Sequence, residues 1–295
     1  MRIHTLDLRF HGLPGLIASY LVESGGEYAL IETGPGSTLE TLRAAIGALG
    51  VDETAIKKVF VTHIHLDHAG AAGWFAQQGA TVYCHPSAVR HLIDPSKLMD
   101  SARMVYGDLM DSLWGDMLPA PAERVVALHD QESVPLGEIE IIAWETPGHA
   151  RHHHAFIIGD ICFTGDVAGM RLENSPYLSV TAAPPQFDPF AYGQSLDRLI
   201  AANFKTLYLT HFGVVQDVAW HLSTYRQRVM AVYERVAADF AAGVGVEENR
   251  RNYAAAEQEI AMQAGVDERL WRKGEDANVT SMCADGVRLY CEKGR

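Results

Sequence analysis

The sequence predicts a layered α/β fold, and three observations support this prediction. Apolar runs of strand length alternate with amphipathic helical patterns in the order strand, turn, helix, strand, which is typical of layered α/β proteins. Clusters of histidine and aspartate directly follow several of these strands. The chain of 295 residues, of which 48% are hydrophobic and 21% are charged, is long enough to bury a sizeable core.

The first part of the chain shows the clearest alternation of strands and helices. A helix is predicted over residues 38–49, because Ser37 or Thr38 provides a cap, apolar side chains recur on one face, and Gly50 ends the pattern. A shorter helix is predicted over residues 70–78, just beyond a histidine-rich turn. Apolar runs bounded by turn residues predict strands at residues 3–10, 16–23, 28–32, 57–62 and 81–84.

The pattern becomes helical between residues 85 and 127, where methionine and aromatic side chains are frequent. The insertion at about residues 94–127 is expected either to roof a pocket or to supply ordinary core side chains. We expect a catalytic domain at residues 1–217 and a mainly helical C-terminal extension at residues 218–295. Further elements are predicted as strands at residues 139–144, 155–158, 161–164 and 205–210, a long helix at 218–241, one or two more helices, and a strand-like piece at 287–291.

The strongest functional signal is the stretch V-T-H-I-H-L-D-H-A-G at residues 61–70, which follows an apolar strand. In an extended backbone His63 and His65 would face one point, and the turn beyond would bring Asp67 and His68 to a second point nearby. Imidazole suits zinc and similar first-row ions, and a neighbouring carboxylate also accepts iron or manganese. The stretch therefore predicts a pair of metal ions at the end of a strand.

Composition excludes several classes of function. A net charge of -13 argues against nucleic-acid binding, which needs clusters of lysine and arginine. No stretch has the length of a signal-peptide core or of a membrane span, so we expect a cytoplasmic protein with no membrane partner. The sequence leaves open whether the chain forms a homodimer. Reduced thiols are expected, because no common zinc or redox spacing is matched by the four cysteines, Cys84, Cys162, Cys283 and Cys291.

Three further candidate ligands follow in order: His149 after Thr-Pro-Gly, Asp166 after Thr-Gly, and His211 after a strand. With the H-x-H-x-D-H stretch, this order resembles the metallo-β-lactamase superfamily over roughly residues 16–213, and especially its glyoxalase II and lactonase branches. The resemblance implies an αββα sandwich with a dinuclear site along one edge of its two sheets. It also implies the ligand sets, with His63, His65 and His149 on one metal, Asp67, His68 and His211 on the other, and Asp166 as the bridge.

The resemblance and the ligand chemistry together predict a hydrolase of a small ester, thioester or lactone. Two divalent ions about 3.5 Å apart share a water molecule, lower its pKa and present hydroxide to a carbonyl carbon. Asp67 is the catalytic residue of this scheme, because the resemblance implies that its carboxylate orients the bridging hydroxide. Zinc is the expected metal, and iron and manganese are alternatives. Two other functions on the same fold remain open: an iron-dependent sulfur dioxygenase or other di-iron redox protein, and a nuclease.

Three residues outside the ligand motif are expected to support the site. Glu32 lies in I-E-T-G-P-G, where the superfamily usually has aspartate, so we expect a longer partner for a metal-binding histidine. Arg171 and Tyr177 lie in the loop at residues 170–190, which is expected to line the substrate pocket. Arg171 either pairs with a substrate carboxylate or is exposed without such a contact.

The remaining histidines need a separate assignment. His152, His153 and His154 compete with His149 as ligands, and the Thr-Pro-Gly turn before His149 favours that residue. His153 and His154 are expected to lie in a strand or to support a ligand. A surface or structural role is expected for His85, His91, His129 and His221.

Overall fold

The first half of the chain forms a sheet of six strands with helices on one face. The computed structural model describes residues 1–172 and 175–294. The strands are β1 (Arg2–Asp7), β2 (Ala18–Ser24), β3 (Glu27–Ile31), β4 (Ile56–Phe60), β5 (Thr81–Cys84) and β6 (Val125–Ala127). The helices are α1 (Leu39–Ala48), α2 (Leu66–Ala69), α3 (Ala72–Gln77), α4 (Val89–Ile93), α5 (Ser96–Tyr106) and α6 (Met110–Leu113). The strands lie side by side in chain order. β1 to β3 pair antiparallel, and β3 to β6 run parallel, as their helical crossovers require.

The second half forms another six-stranded sheet. Its strands are β7 (Ser133–Leu136), β8 (Ile139–Glu145), β9 (His154–Ile158), β10 (Ile161–Met170), β11 (Thr206–His211) and β12 (Gly213–Val215). Its helices are α7 (Pro189–Ala202), α8 (Val218–Ala241), α9 (Val246–Gln263), α10 (Glu268–Ala277) and α11 (Thr280–Glu292). The strand order is β12-β11-β10-β9-β8-β7, and only the pair β10 and β11 within this described sheet is parallel. Every residue of β9 is buried, because this central strand is covered on both faces.

The two sheets pack face to face around buried aromatic side chains. Tyr20, Phe60, Phe156 and Phe163 belong to one buried cluster between the sheets. The rings of Phe60 and Phe156 make an edge-to-face contact across the sheets, with 5.2 Å between their centroids. Helices cover the outer face of each sheet through two further buried clusters. The predicted αββα sandwich is confirmed.

The C-terminal helices pack directly on the second sheet. Tyr225 and Val229 of α8 share a buried cluster with Leu209 of β11, and Val287 of α11 belongs to the same cluster. The predicted boundary after residue 217 therefore lies within a continuous core, and the division into two domains stays a prediction. Residue 295 of the extension and residues 173 and 174 of the predicted pocket loop lie outside the described residues. No helix among the described residues is both long and apolar enough to cross a membrane.

Two of the predicted elements are wrong. The strand-like piece at residues 287–291 lies in α11, where Val287 and Tyr290 extend the buried helix face begun by Cys283. A five-residue apolar run does not distinguish strand from helix, so packing on the sheet decides. The helical pattern predicted for residues 85–127 also extends too far towards the C-terminus. Residues 125–127 form β6, which pairs with β5.

Three further elements, β7, β12 and α7, were not predicted from the sequence. The strands β7 and β12 are only four and three residues long, so they carry little alternation. Helix α7 had a readable start signal: the Asp188 side chain accepts hydrogen bonds from the N–H groups of Phe190 and Ala191, and Pro189 occupies the first position.

The methionines of the insertion divide between core and surface. Met110 and Met117 belong to the cluster between the first sheet and its helices, so the core alternative holds for them. Met104 of α5 is 82% exposed and contributes nothing to that core.

Packing of α11 predicts opposite effects of two glycine-to-alanine changes. A Cβ atom at Gly286 would lie 1.7 Å from the carbonyl oxygen of Ala182, whereas one at Gly47 in α1 meets nothing within 4 Å. We expect Gly286→Ala to lower the free energy of unfolding by about 1–3 kcal/mol, because the backbone must shift. Gly47→Ala is the control and should raise it by about 0.5–1 kcal/mol. Urea unfolding measures both, and equal effects would show that α11 does not pack this closely on the segment after β10.

Candidate metal centre

Four segments bring the seven predicted ligands to one edge of the sandwich. His63 and His65 lie on the connection between β4 and α2, and Asp67 and His68 lie in α2. The expectation that these last two lie in a turn before a helix is wrong, because the helix already begins at Leu66. The other three ligands come from the second sheet: His149 from the β8–β9 connection, Asp166 from β10, and His211 from the end of β11.

Three ring nitrogens form the first group of ligands. The Nδ1 atom of His65 lies 3.0 Å from Nε2 of His63 and 2.9 Å from Nε2 of His149. All three atoms lie within 4.8 Å of one another. Three imidazoles this close cannot all satisfy one another by hydrogen bonds, since each neutral ring has one donor and one acceptor. The arrangement suits a single cation at their centre.

The second group contains Asp67, His68 and His211. Oδ2 of Asp67 lies 3.3 Å from Nε2 of His211 and 3.5 Å from Nε2 of His68. Asp166 stands between the two groups, because its Oδ2 lies 3.3 Å from Nε2 of His149 while its Oδ1 lies 3.2 Å from Nε2 of His68. One carboxylate thus presents one oxygen to each group, which is the geometry of a bridging ligand.

Two orphaned atoms test whether this set fits metal ions. Nε2 of His68 and Oδ1 of Asp166 are buried and lie 3.2 Å apart, but neither makes a hydrogen bond of acceptable geometry. Buried polar atoms are rarely left in this state, because each costs about 1–3 kcal/mol of desolvation. A cation bound by both atoms would remove that cost. The donor set, all imidazole and carboxylate, suits divalent first-row ions.

The opposite ring nitrogens are held by partners that the sequence analysis largely missed. Nδ1 of His211 lies 3.0 Å from the carbonyl oxygen of Leu16, and Nδ1 of His149 lies 3.0 Å from that of Thr181. A carbonyl only accepts, so each Nδ1 carries a proton, and in the neutral ring each Nε2 keeps its lone pair for a cation. Nδ1 of His63 faces the Thr62 hydroxyl at 3.0 Å.

Glu32 occupies the position expected of a partner for a metal-binding histidine. Its Oε1 lies 3.0 Å from Nδ1 of His68, and it accepts hydrogen bonds from the hydroxyls of Thr62 and Thr210. The carboxylate is almost completely buried, at 1% exposure, so these donors are what stabilises it. The extra methylene of glutamate is accommodated here together with a left-handed backbone at Glu32.

The other predicted site residues have different surroundings. His153 accepts a hydrogen bond from the backbone N–H of Asp166 at 3.1 Å, so it contacts the backbone of a candidate ligand. Arg171 forms an ion pair with Asp217 at 2.6 Å, and the Tyr177 hydroxyl donates to Glu257 at 2.9 Å. Their polar groups are engaged within the protein, and their roles in substrate binding stay predictions.

The charge state of the cluster separates the two groups. Burial lowers the pKa of His65 to about 3 and that of His63 well below its usual value, so both rings are neutral. Burial would also lower the pKa of His68, but the carboxylates of Asp67, Glu32 and Asp166 outweigh it and raise the pKa. Carboxylates that draw protons onto their neighbours create a demand for positive charge, which a metal ion meets when bound.

Two groups of histidine and aspartate side chains that could hold metal ions lie at the edge of an αββα sandwich, with Asp166 between them. The chain belongs to the metallo-beta-lactamase superfamily, whose family profile matches residues 12–211. The match includes all seven candidate ligands.

Individual relatives agree with this assignment. Metallo-beta-lactamase fold-containing protein ST1585 of Sulfurisphaera tokodaii is 31% identical over 161 residues, which are 53% of this chain and 60% of that protein. The chain therefore matches less than two thirds of this relative. The crystal structure of ST1585, from Sulfolobus tokodaii, superposes with a TM-score of 0.65 at 25% identity, over 77% of this chain and 85% of that one.

A second solved structure extends over the C-terminal helices. Metallo-beta-lactamase family protein TTHA1429 from Thermus thermophilus has a TM-score of 0.67 and covers 99% of this chain and 93% of its own. Its sequence identity is 20%, so the likeness concerns the fold alone.

Removal of the Glu32 charge should weaken the metal centre. We expect Glu32→Gln to lower the affinity for metal about 10–100-fold, because His68 loses the anionic partner that orients its ring. Competition with a chelator measures the change. Glu27→Gln is the matched control, since Glu27 begins β3, the strand that directly precedes Glu32, and its side chain is 53% exposed. Unchanged affinity in Glu32→Gln would mean that this carboxylate does not support the site.

Proposed function

We propose that the protein is a metal-dependent hydrolase of a small ester, thioester or lactone. The observation that carries this proposal is the position of Asp166, with one oxygen towards each group of ligands. We assign His63, His65 and His149 to one divalent ion and Asp67, His68 and His211 to the other. Zinc fits this set best among the ions considered, and iron and manganese have compatible ligand preferences.

The metal ions would supply a water molecule of lowered pKa and would polarise the carbonyl group of the substrate. Asp67 is the residue proposed to orient that water. Its side chain is 17% exposed, against 5% for Asp166, so it has the freer access to substrate and solvent. Burial would raise the pKa of Asp67, but His68 and His211 outweigh burial and lower it, so the carboxylate stays ionised. An ionised carboxylate only accepts, and it holds a water proton without donating one.

Nucleophilic cysteine chemistry has no support in the described structure. Burial raises the pKa of Cys84 and of Cys283 to about 12, so both thiols stay protonated and unreactive. Cys162 is completely buried in the core beside β11, and its pKa is also raised by burial. Activated water therefore accounts best for hydrolysis.

A small molecule is the substrate that the charge of the protein favours. The net charge of -13 opposes approach of a polyanion, which disfavours the nuclease alternative. The dioxygenase alternative is not separated by charge, because iron accepts the same imidazole and carboxylate ligands. The identity of the metal is what separates it from the hydrolase.

Metal content and turnover together test the proposed function. Protein purified without chelator or added metal should contain about two equivalents of zinc at this centre and hydrolyse one class within a panel of esters, thioesters and lactones. Chelation should abolish turnover, and added zinc should restore it. Iron with oxygen uptake on a persulfide, and no hydrolysis, would assign the protein to the dioxygenases instead. A protein that binds no metal would refute the proposal.

Asp166 should be required for both metal binding and turnover. Asp166→Ala removes the bridge, and we expect turnover to fall by roughly 10³-fold or more, because metal catalysis contributes several kcal/mol of transition-state stabilisation. Elemental analysis should show loss of metal, while circular dichroism shows a retained fold. Asp160→Ala, in the turn before β10, is the control, since that carboxylate only pairs with Lys205 on the surface. Retention of two metals with normal turnover in Asp166→Ala would contradict the assignment.

A further inference from the structure

A second cluster of metal-binding side chains includes none of the seven ligands. His85, Glu145 and His154 place one ligand atom each within 4.8 Å of the others. Glu145 and His154 are direct cross-strand partners in β8 and β9, and His85 directly follows β5. The cluster therefore joins the end of a strand in the first sheet to two strands of the second sheet.

His154 is the unusual member of this cluster. Its side chain is completely buried, and neither ring nitrogen has a hydrogen-bond partner. Its ring centroid lies 5.0 Å from that of His85. Burial lowers the pKa of His154 to about 3, so the ring is neutral and offers a lone pair. A buried neutral imidazole with two unsatisfied nitrogens needs a partner that the described side chains do not provide.

His85 directs its second nitrogen towards the same point. Its Nδ1 accepts a hydrogen bond from the backbone N–H of Ser87 at 3.1 Å, and its Nε2 lies 3.6 Å from Oε1 of Glu145. In the neutral ring Nε2 then carries the proton, and coordination through Nε2 requires that proton to move to Nδ1. When Nδ1 takes up the proton, it no longer accepts the hydrogen bond from the N–H of Ser87. Ser87 is exposed, so water replaces the His85 ring as the partner of this N–H.

We propose that His85, Glu145 and His154 form a third cation site, separate from the dinuclear centre, which binds a first-row divalent ion such as zinc. Two neutral imidazoles and one carboxylate are an established zinc donor set that leaves a position for water. The Glu145 side chain is 41% exposed, which gives the ion a route from solvent.

Neighbouring charges leave the Glu145 carboxylate available to the ion. The guanidinium of Arg198 lies near this end of β8 and forms an ion pair with Asp130 at 2.7 Å. Its hydrogen bond to Glu145 goes to the backbone oxygen and not to the carboxylate. His129, the further histidine that acts electrostatically on His85, is exposed. An ion in this site would cross-link the two sheets, so its role is structural stabilisation and does not include the reaction.

Zinc stoichiometry in the full-length holoprotein tests the third site. After equilibration with Zn²⁺ and removal of free metal, we expect about one equivalent more in the wild-type protein than in Glu145→Gln or His154→Gln. Glu140→Gln is the matched control on the exposed face of the same strand, and His4→Asn is a control on β1. Both controls should keep the wild-type content. Equal content in all five proteins would overturn the proposal, because any extra ion would then be bound elsewhere.

Thermal unfolding gives an independent readout for Glu145→Gln, an isosteric change at a half-exposed side chain. This readout holds even if His154→Gln fails to fold. The extra equivalent of Zn²⁺ should raise the thermal midpoint of the wild-type protein and of Glu140→Gln, since an ion that binds only the folded state stabilises it. The rise should be absent in Glu145→Gln. The same rise in Glu145→Gln would overturn the proposal. The result is a difference of one equivalent of Zn²⁺ between variants. It therefore does not depend on whether the dinuclear centre hydrolyses a substrate.

Discussion

The metal centre depends on hydrogen bonds made by the ring nitrogens that face away from it. His149 and His211 each direct Nδ1 to a backbone carbonyl, and His68 directs Nδ1 to Glu32. These contacts set which nitrogen keeps a lone pair and where the lone pair points. The carbonyls belong to Leu16, before β2, and to Thr181, after β10, so the orientation of the ligands requires both sheets in place. The candidate ligands are therefore oriented only when both sheets are folded.

Glu32 links the two sheets at the bottom of this site. Its carboxylate accepts from Thr62 after β4 in the first sheet and from Thr210 in β11 of the second, while it also faces His68. Glu32 has a left-handed backbone with φ of 63°, a conformation that costs a non-glycine residue about 1–3 kcal/mol. The buried hydrogen bonds around it hold that conformation. A strained backbone of this kind persists where many surrounding contacts fix the residue. The contacts of Glu32 agree with a role in positioning His68.

Features encoded by neighbouring residues were predictable from the sequence, whereas features that depend on residues far apart in the chain were not. The strand followed by His63, His65, Asp67 and His68 is contiguous, so both the site and its place at a sheet edge were readable. The carbonyls of Leu16 and Thr181 were not readable, since every residue has a carbonyl and only the fold selects two of them. The apolar run at residues 287–291 failed for a related reason: its helical conformation is set by contact with the second sheet. His154 gave no signal either, because its burial without partners arises only when three strand ends meet.

Two segments outside the ligand motif contact one another near Asp67. Burial, and next the negative charge of Asp67, raise the pKa of Tyr106 to about 12, so this tyrosine of α5 in the insertion lies within electrostatic range of Asp67. Its hydroxyl lies 3.8 Å from the sulfur of Met282 in α11, which is beyond the end of the superfamily match at residue 211. The insertion and the C-terminal helices thus contact one another at Tyr106 and Met282. The ligand motif includes neither segment. A ligand motif alone therefore predicts chemistry and leaves the substrate open.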